Sequence, residues 1–306
     1  MKELKHMQGV LSPVVTPFKK DLAPDTERLV AHCRWLLSQN CGLAVFGTNS
    51  EANSLSGEER MGLLEALAAA GLDPARMMPG TGCSSLTETA KLTAHAVRLG
   101  VGGALMLPPF YYKGVSDEGL FRHYSEVIQR VGSERLRVYL YHIPQVTQVP
   151  ISLGLIERLL KAYPKAVAGV KDSSGDWANT EAMLKAFPGW GVFSGNELVL
   201  LKNMQGGGVG CISATANVNP GPIHHLWANW KAPQAQGLQD SVNAIRQWVQ
   251  TFPMIPALKA IVGHYGSDPA WRTVRPPLVE LTPEQNTQLL QGLEARKFAM
   301  PGLRAA

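Results

Sequence analysis

Cysteine is scarce in this chain: its 306 residues hold four, Cys33, Cys41, Cys83 and Cys211. None falls in a CxxC or other metal-ligand spacing, which argues against both a disulfide framework and a zinc module. The adjacent pair His224-His225 does not change this, because neighbouring residues on a helix point to different faces. No apolar run approaches the roughly 20 residues that a membrane-spanning helix needs. Met1 to Gln8 is polar and has none of the apolar core of a secretory leader. The cysteines therefore read as reduced packing residues, and the expected location is cytoplasmic. Basic runs are also missing: the longest is the pair Lys19-Lys20, and the net charge of +5 is scattered. With no nucleic-acid motif beside it, that charge implies at most a mild attraction for small anions. Charged residues make up 17% and apolar residues 45% of the chain, enough for a large core in one barrel-sized domain or two ordinary ones.

What is present is a rhythm. Short β-like runs recur at Gly9–Val15, Gly42–Phe46, Met77–Pro79, Gly103–Leu107, Val138–Tyr141, Val167–Lys171, Gly191–Phe193 and Val209–Ile212. Between most of them lie helical patterns. The segment Asp25 to Gln39 carries Leu29, Cys33, Leu36 and Leu37 on one face. Ser56 with Glu59, and Ser85 with Glu88, have the spacing of a capping box. Eight alternating units within about 230 residues predict a (β/α)8 TIM barrel over 1–230. The region 231–306 reads as a C-terminal helical extension, its last helix opened by Thr282-Pro283-Glu284-Gln285. An open doubly wound sheet is the alternative, disfavoured because no GxGxxG follows the first strand.

Lys171 closes the apolar run Ala166-Val167-Ala168-Gly169-Val170 and precedes Asp172-Ser173-Ser174-Gly175. An ammonium buried without a partner is costly, and a lysine that is neutral part of the time attacks carbonyl carbon. By itself the segment favours the plainer reading, a lysine paired with Asp172 or reaching solvent. A second strand about one βα unit upstream, ending in Tyr141 and broken by Pro144, shifts the balance toward chemistry at strand carboxyl ends. Two further strand ends carry candidates. Gly47-Thr48-Asn49-Ser50-Glu51 offers backbone N–H groups and a hydroxyl to an anion, or is a plain turn. Tyr111-Tyr112-Lys113 follows the fourth strand, where paired tyrosines are more often packing residues than catalysts.

In combination, GTxxE at 47–51, YxxP at 141–144 and GVKD at 169–172 resemble the dihydrodipicolinate synthase/N-acetylneuraminate lyase superfamily of class I aldolases. The resemblance runs from Ser12-Pro13-Val14-Val15-Thr16-Pro17-Phe18 to Ser213-Ala214-Thr215-Ala216-Asn217 and the helical tail. It implies a pyruvate-type 2-oxo acid bound as an imine to Lys171, with Tyr141 shuttling protons. It further implies that Thr48 links Tyr141 to Tyr112 donated by a neighbouring subunit. The backbone at Thr48 and Asn49 would hold the substrate carboxylate, and Ile212 would line the pocket. It implies no metal and no organic cofactor, and a homotetramer built as a dimer of dimers.

The departures narrow the resemblance. Members that make dihydrodipicolinate carry Arg two positions after the Pro of YxxP; here that residue is Val146. GTTGE has become Gly-Thr-Asn-Ser-Glu. Where lysine-inhibited members carry two His and an Asn, this chain has Gly57, Arg60 and Ser84, so lysine feedback is not expected. Tyr-Tyr-Lys-Gly at 111–114 is closer to 4-hydroxy-2-oxoglutarate and 2-keto-3-deoxy sugar-acid aldolase-like branches. The expected function is a Schiff-base lyase that cleaves or forms a C–C bond to a pyruvate-type 2-oxo acid. The alternatives are a 2-keto-3-deoxy sugar-acid dehydratase using the same imine, dihydrodipicolinate synthase proper, and a non-catalytic 2-oxo-acid binder. Lys171, Tyr141, Thr48 and Tyr112 together argue against the last.

Overall fold

The computed structural model describes residues 6–303, so part of the polar N-terminal stretch and the last residues of the extension lie outside the described residues. Seven strands form one parallel sheet: β1 (Gly9–Ser12), β2 (Gly42–Leu43), β3 (Ala104–Met106), β4 (Val138–His142), β5 (Val167–Asp172), β6 (Gly191–Ser194) and β7 (Gly210–Ile212). Their order is β2-β1-β7-β6-β5-β4-β3. The gap between β2 and β3 is filled by Met77–Gly80, which makes isolated parallel bridges to both edges where the sequence predicts a strand at Met77–Pro79. Met78 and Gly80 N–H donate to the Leu43 and Val45 carbonyls, each at 2.8 Å, and Leu105 N–H donates to the Pro79 carbonyl at 2.9 Å. Pro79 has no N–H to give, which limits this segment to bridging. The sheet is thereby closed into a (β/α)8 barrel.

Two other strands are shorter than their apolar runs. Pairing of β1 stops before Pro13, and the run after β2 turns away through Phe46, whose φ is +60°. The helices are α1 (Thr26–Ser38), α2 (Gly57–Ala69), α3 (Leu86–Arg98), α4 (Asp117–Val131), the short α5 (Pro144–Thr147), α6 (Leu153–Ala162), α7 (Trp177–Ala186), α8 (Leu200–Gln205) and α9 (Pro220–Ala228). Then come α10 (Ala235–Val249), α11 (Met254–Tyr265) and α12 (Pro283–Ala295). Ser56 with Glu59 and Thr282 with Gln285 close reciprocal capping boxes. At α3 only half of the expected box forms: Ser85 Oγ accepts the Glu88 N–H. The proposed division at residue 230 falls between α9 and α10, and the apolar core runs across it, joining Val242, Ile245 and Val249 to Leu29, Cys33 and Leu36. No helix among the described residues is long and apolar enough to cross a membrane.

The barrel interior is a separate apolar layer that includes Leu11, Met78, Leu105, Tyr139, Phe193 and Ile212. Tyr139 is its plug, with its hydroxyl accepting the Met7 N–H at 2.8 Å. Gly103, Gly169 and Gly191 make room for the ring: a Cβ on Gly103 would come within 2.6 Å of it, and one on Gly169 within 2.7 Å. Gly103→Ala should therefore destabilise the protein by about 1–3 kcal/mol through overpacking. Tyr139→Leu in the same chain should recover part of that loss, because the clash is with a side chain. Denaturant unfolding of both single variants and the double variant measures the coupling; a strictly additive pair would contradict this packing.

Candidate active site

Strand alternation decides which groups meet inside the barrel. The β4–β5 register passes over Ala168, pairing Tyr139 with Gly169 and then Tyr141 with Lys171. Tyr139, Tyr141 and Lys171 therefore share the inner face, and His142 and Asp172 the outer one. Pairing of Lys171 with Asp172 is thus overturned. The Asp172 carboxylate instead accepts Ser174 N–H at 2.9 Å, Asn179 Nδ2 at 3.0 Å and Thr180 Oγ1 at 2.6 Å. Lys171 is 2% exposed, so the solvent-reaching reading falls as well.

Lys171 Nζ donates to Tyr141 Oη at 3.1 Å and lies 4.2 Å from the centroid of the same ring. Tyr141 Oη is in turn 3.1 Å from Thr48 Oγ1. Burial raises the phenol's pKa. The charge of Lys171 and hydrogen bonds from Thr48, Lys171 and Ser173 outweigh burial and bring it below the ordinary 10.0. A phenol so placed gives up its proton more readily than a free tyrosine, as an acid–base relay requires.

Thr48 and Asn49 open a single 3-10 turn, Thr48–Ser50, directly after the Gly47 bend. The first N–H groups of such a turn have no acceptor within it, which leaves those of Thr48 and Asn49 for an anion beside the phenol. Ser50, where GTTGE has Gly, accepts the Gly47 N–H through its hydroxyl at 3.2 Å, while its carbonyl accepts Thr16 Oγ1 at 2.7 Å. The departure at Ser50 stiffens the turn. Ile212 ends β7 and is wholly buried in the inner layer.

Three of the four residues expected to be catalytic converge within one chain. Tyr112 does not: it is 71% exposed and stacks edge-to-face on Tyr111, itself 73% exposed, at 5.4 Å. Sequence reasoning missed Glu197, a wholly buried carboxylate that accepts the hydroxyls of Ser213 and Thr215 behind Ile212. A lone Glu after Ser194-Gly195-Asn196 gives no periodic signal, and only its distant hydroxyl partners show what it does. A cleft of about 580 Å³ lies between α1, α9, α10 and the C-terminal segment and holds none of these groups.

A family model described as the dihydrodipicolinate synthetase family matches residues 6–296. An uncharacterized DapA-like lyase of Chloroflexus aurantiacus is 32% identical over 290 residues, covering 94% of this chain and 96% of that protein. The crystal structure of dihydrodipicolinate synthase from Agrobacterium tumefaciens superposes with a TM-score of 0.88 at 34% identity, covering 94% of this chain and 99% of that one. A prophage protein of the dihydrodipicolinic acid synthase family from E. coli, solved in complex with pyruvate, has a TM-score of 0.88 at 26% identity, covering 96% and 99%. Fold and relatives define a lyase of the class I aldolase type. The chain belongs to the dihydrodipicolinate synthetase family.

The phenol can be tested directly. Ultraviolet difference titration against Tyr141→Phe should show Tyr141 ionising below pH 10.0. In Lys171→Ala its pKa should move upward, because a neighbouring cation that favours phenolate is gone. An unchanged or lower value in that variant would contradict the electrostatic account.

Proposed function

We propose that the protein binds a pyruvate-type 2-oxo acid as an imine on Lys171 and breaks or forms a C–C bond at the carbon next to it. The observation that carries this reading is the buried Lys171 ammonium, 3.1 Å from a phenol and without a carboxylate partner among the described residues. The amine adds to the C2 carbonyl, and loss of water gives the imine. In the cleavage direction the protonated imine accepts the electron pair of the C3–C4 bond as that bond breaks. Tyr141 removes the proton of the C4 hydroxyl, and an aldehyde leaves. The enamine is then protonated at C3, and water releases pyruvate and the free lysine. Thr48 and Asn49 N–H hold the carboxylate. The exposed Tyr111–Tyr112 pair supports an oligomer in which Tyr112 of one copy reaches the Thr48 hydroxyl of another.

Borohydride with pyruvate should fix a three-carbon adduct on Lys171, and Lys171→Ala should abolish it while the chain stays folded. Tyr141→Phe should lower turnover by about 10²–10⁴. Mass mapping of the adduct to another lysine, or near-normal turnover in Tyr141→Phe, would sink the assignment.

The position that carries Arg in dihydrodipicolinate-forming members supplies no cation here. Val146 is 58% exposed and offers no hydrogen bond. Arg60 is buried on α2 with Nη1 turned to Cys83 Sγ at 3.6 Å. Lys113 stands at the rim, its ammonium donating to the carbonyls of Phe110 and, at 2.9 Å, Thr147. This arrangement favours an aldehyde acceptor without a firmly gripped second carboxylate over aspartate semialdehyde. Loss of a bidentate charged pair should cost efficiency at least about a hundredfold. Pyruvate release from 2-keto-3-deoxygluconate, whose aldehyde half carries no carboxylate, should therefore exceed condensation with aspartate semialdehyde. A specificity constant for the semialdehyde of about 10⁴ M⁻¹s⁻¹ or more, lost in Lys113→Met, would instead assign the dihydrodipicolinate synthase reaction with Lys113 as its cation.

A further inference from the structure

Glu51 ends the turn that carries Thr48, and its backbone lies in the left-handed region at φ +56°, ψ +34°. For a non-glycine residue that conformation is held only when the surroundings insist on it. The carboxylate is wholly buried and forms an ion pair with Lys259, which is itself wholly buried on α11, 208 residues further along the chain. Lys259 Nζ also donates to the Thr273 carbonyl at 2.8 Å and sits 4.4 Å from the centroid of the Phe18 ring. The second carboxylate oxygen of Glu51 accepts the Arg275 N–H at 3.0 Å. The Arg275 guanidinium covers the same Phe18 ring at 4.7 Å and grips Glu59 with two hydrogen bonds of 2.8 and 2.5 Å. Two cations and two carboxylates are thus balanced around one aromatic ring.

Stability alone does not account for the pair. Desolvation lowers the Lys259 pKa from 10.5 to about 8, with Glu51 and Glu280 pulling it up and Arg275 pushing it down. The unfolded chain therefore holds this proton more firmly than the folded one. Stability rises as pH climbs from about 8 toward 10.5, so the charged lysine costs stability at neutral pH. Buried ion pairs often match no better than apolar replacements. What the pair does supply is position. Glu51 N–H donates to the Thr48 carbonyl at 3.2 Å and Ser50 N–H to the Gly47 carbonyl at 3.1 Å, so the turn moves as one piece. Fixing Glu51 then fixes the Thr48 hydroxyl against Tyr141.

We propose that Glu51 and Lys259 are positioning residues, through which α11 holds Thr48 in hydrogen bond with the Tyr141 phenol. The inference rests on the Lys171 imine reading for its kinetic consequence, but not for its geometry. Glu51→Asp keeps the charge and draws the carboxylate back by one methylene, so the chain should fold while the turn shifts. Glu51→Gln/Lys259→Met removes both charges together. In each folded variant the pyruvate imine should still form. Exchange of the pyruvate methyl hydrogens for deuterium, followed by proton NMR, should slow by about 10–100-fold, the size expected for a small misplacement. Adding Thr48→Val should bring little further loss, because both changes act on one hydrogen bond. The substrate-free readout is the phenol titration: Tyr141 should ionise at higher pH in Glu51→Asp than in wild type. A wild-type phenol titration in folded Glu51→Asp, or full multiplication of its exchange loss by Thr48→Val, overturns the proposal. Failure of the wild-type enzyme to form the imine, with the phenol shift intact, overturns the imine reading and leaves this one standing.

Discussion

Everything in this site depends on one contact: an ammonium and a phenol held together inside the barrel, shielded from water. Lys171 and Tyr141 are register partners on adjacent strands, and their side chains meet at 3.1 Å. Each alters the other. The cation favours the phenolate, and the phenol gives the ammonium a polar neighbour that does not neutralise it as a carboxylate would. An Asp–Lys pair at the same place would be a structural ion pair. That Asp172 faces outward and is saturated by Ser174, Asn179 and Thr180 keeps the lysine available.

Much of the fold was legible because its signals are local. The capping box at Ser56 formed as its spacing implied, Thr282 capped the last helix, and the apolar runs at 138–141 and 167–171 became adjacent strands. The third run was legible as extended but not as bridging, since Pro79 withdraws a donor that only the pairing geometry makes important. The grouping of Lys171, Tyr141 and Thr48 followed from strand ends and from the resemblance their motifs carry. Residues whose meaning comes from distant partners were not legible. Glu51 reads as the last letter of a loop motif, and Lys259 as one basic residue in an apolar helix. Their pairing joins positions 208 residues apart in the chain. Glu197 likewise depends on Ser213 and Thr215.

The helices after residue 230 share the apolar core of the barrel's outer layer. They complete the apolar shell around α1, and α11 reaches through Lys259 to the turn that bears Thr48. After β3, Tyr111 and Tyr112 stand exposed on the surface of the chain. Barrel strands carry Lys171 and Tyr141, and the turn that bears Thr48 packs through Glu51 against α11.

The most direct measurement of the central claim is carbon NMR of the enzyme mixed with pyruvate labelled with carbon-13 at C2. An imine on Lys171 predicts that the carbonyl signal gives way to a carbon–nitrogen double-bond signal that is absent from Lys171→Ala. A carbonyl signal that stays unchanged at saturating pyruvate, with the chain folded, would contradict it.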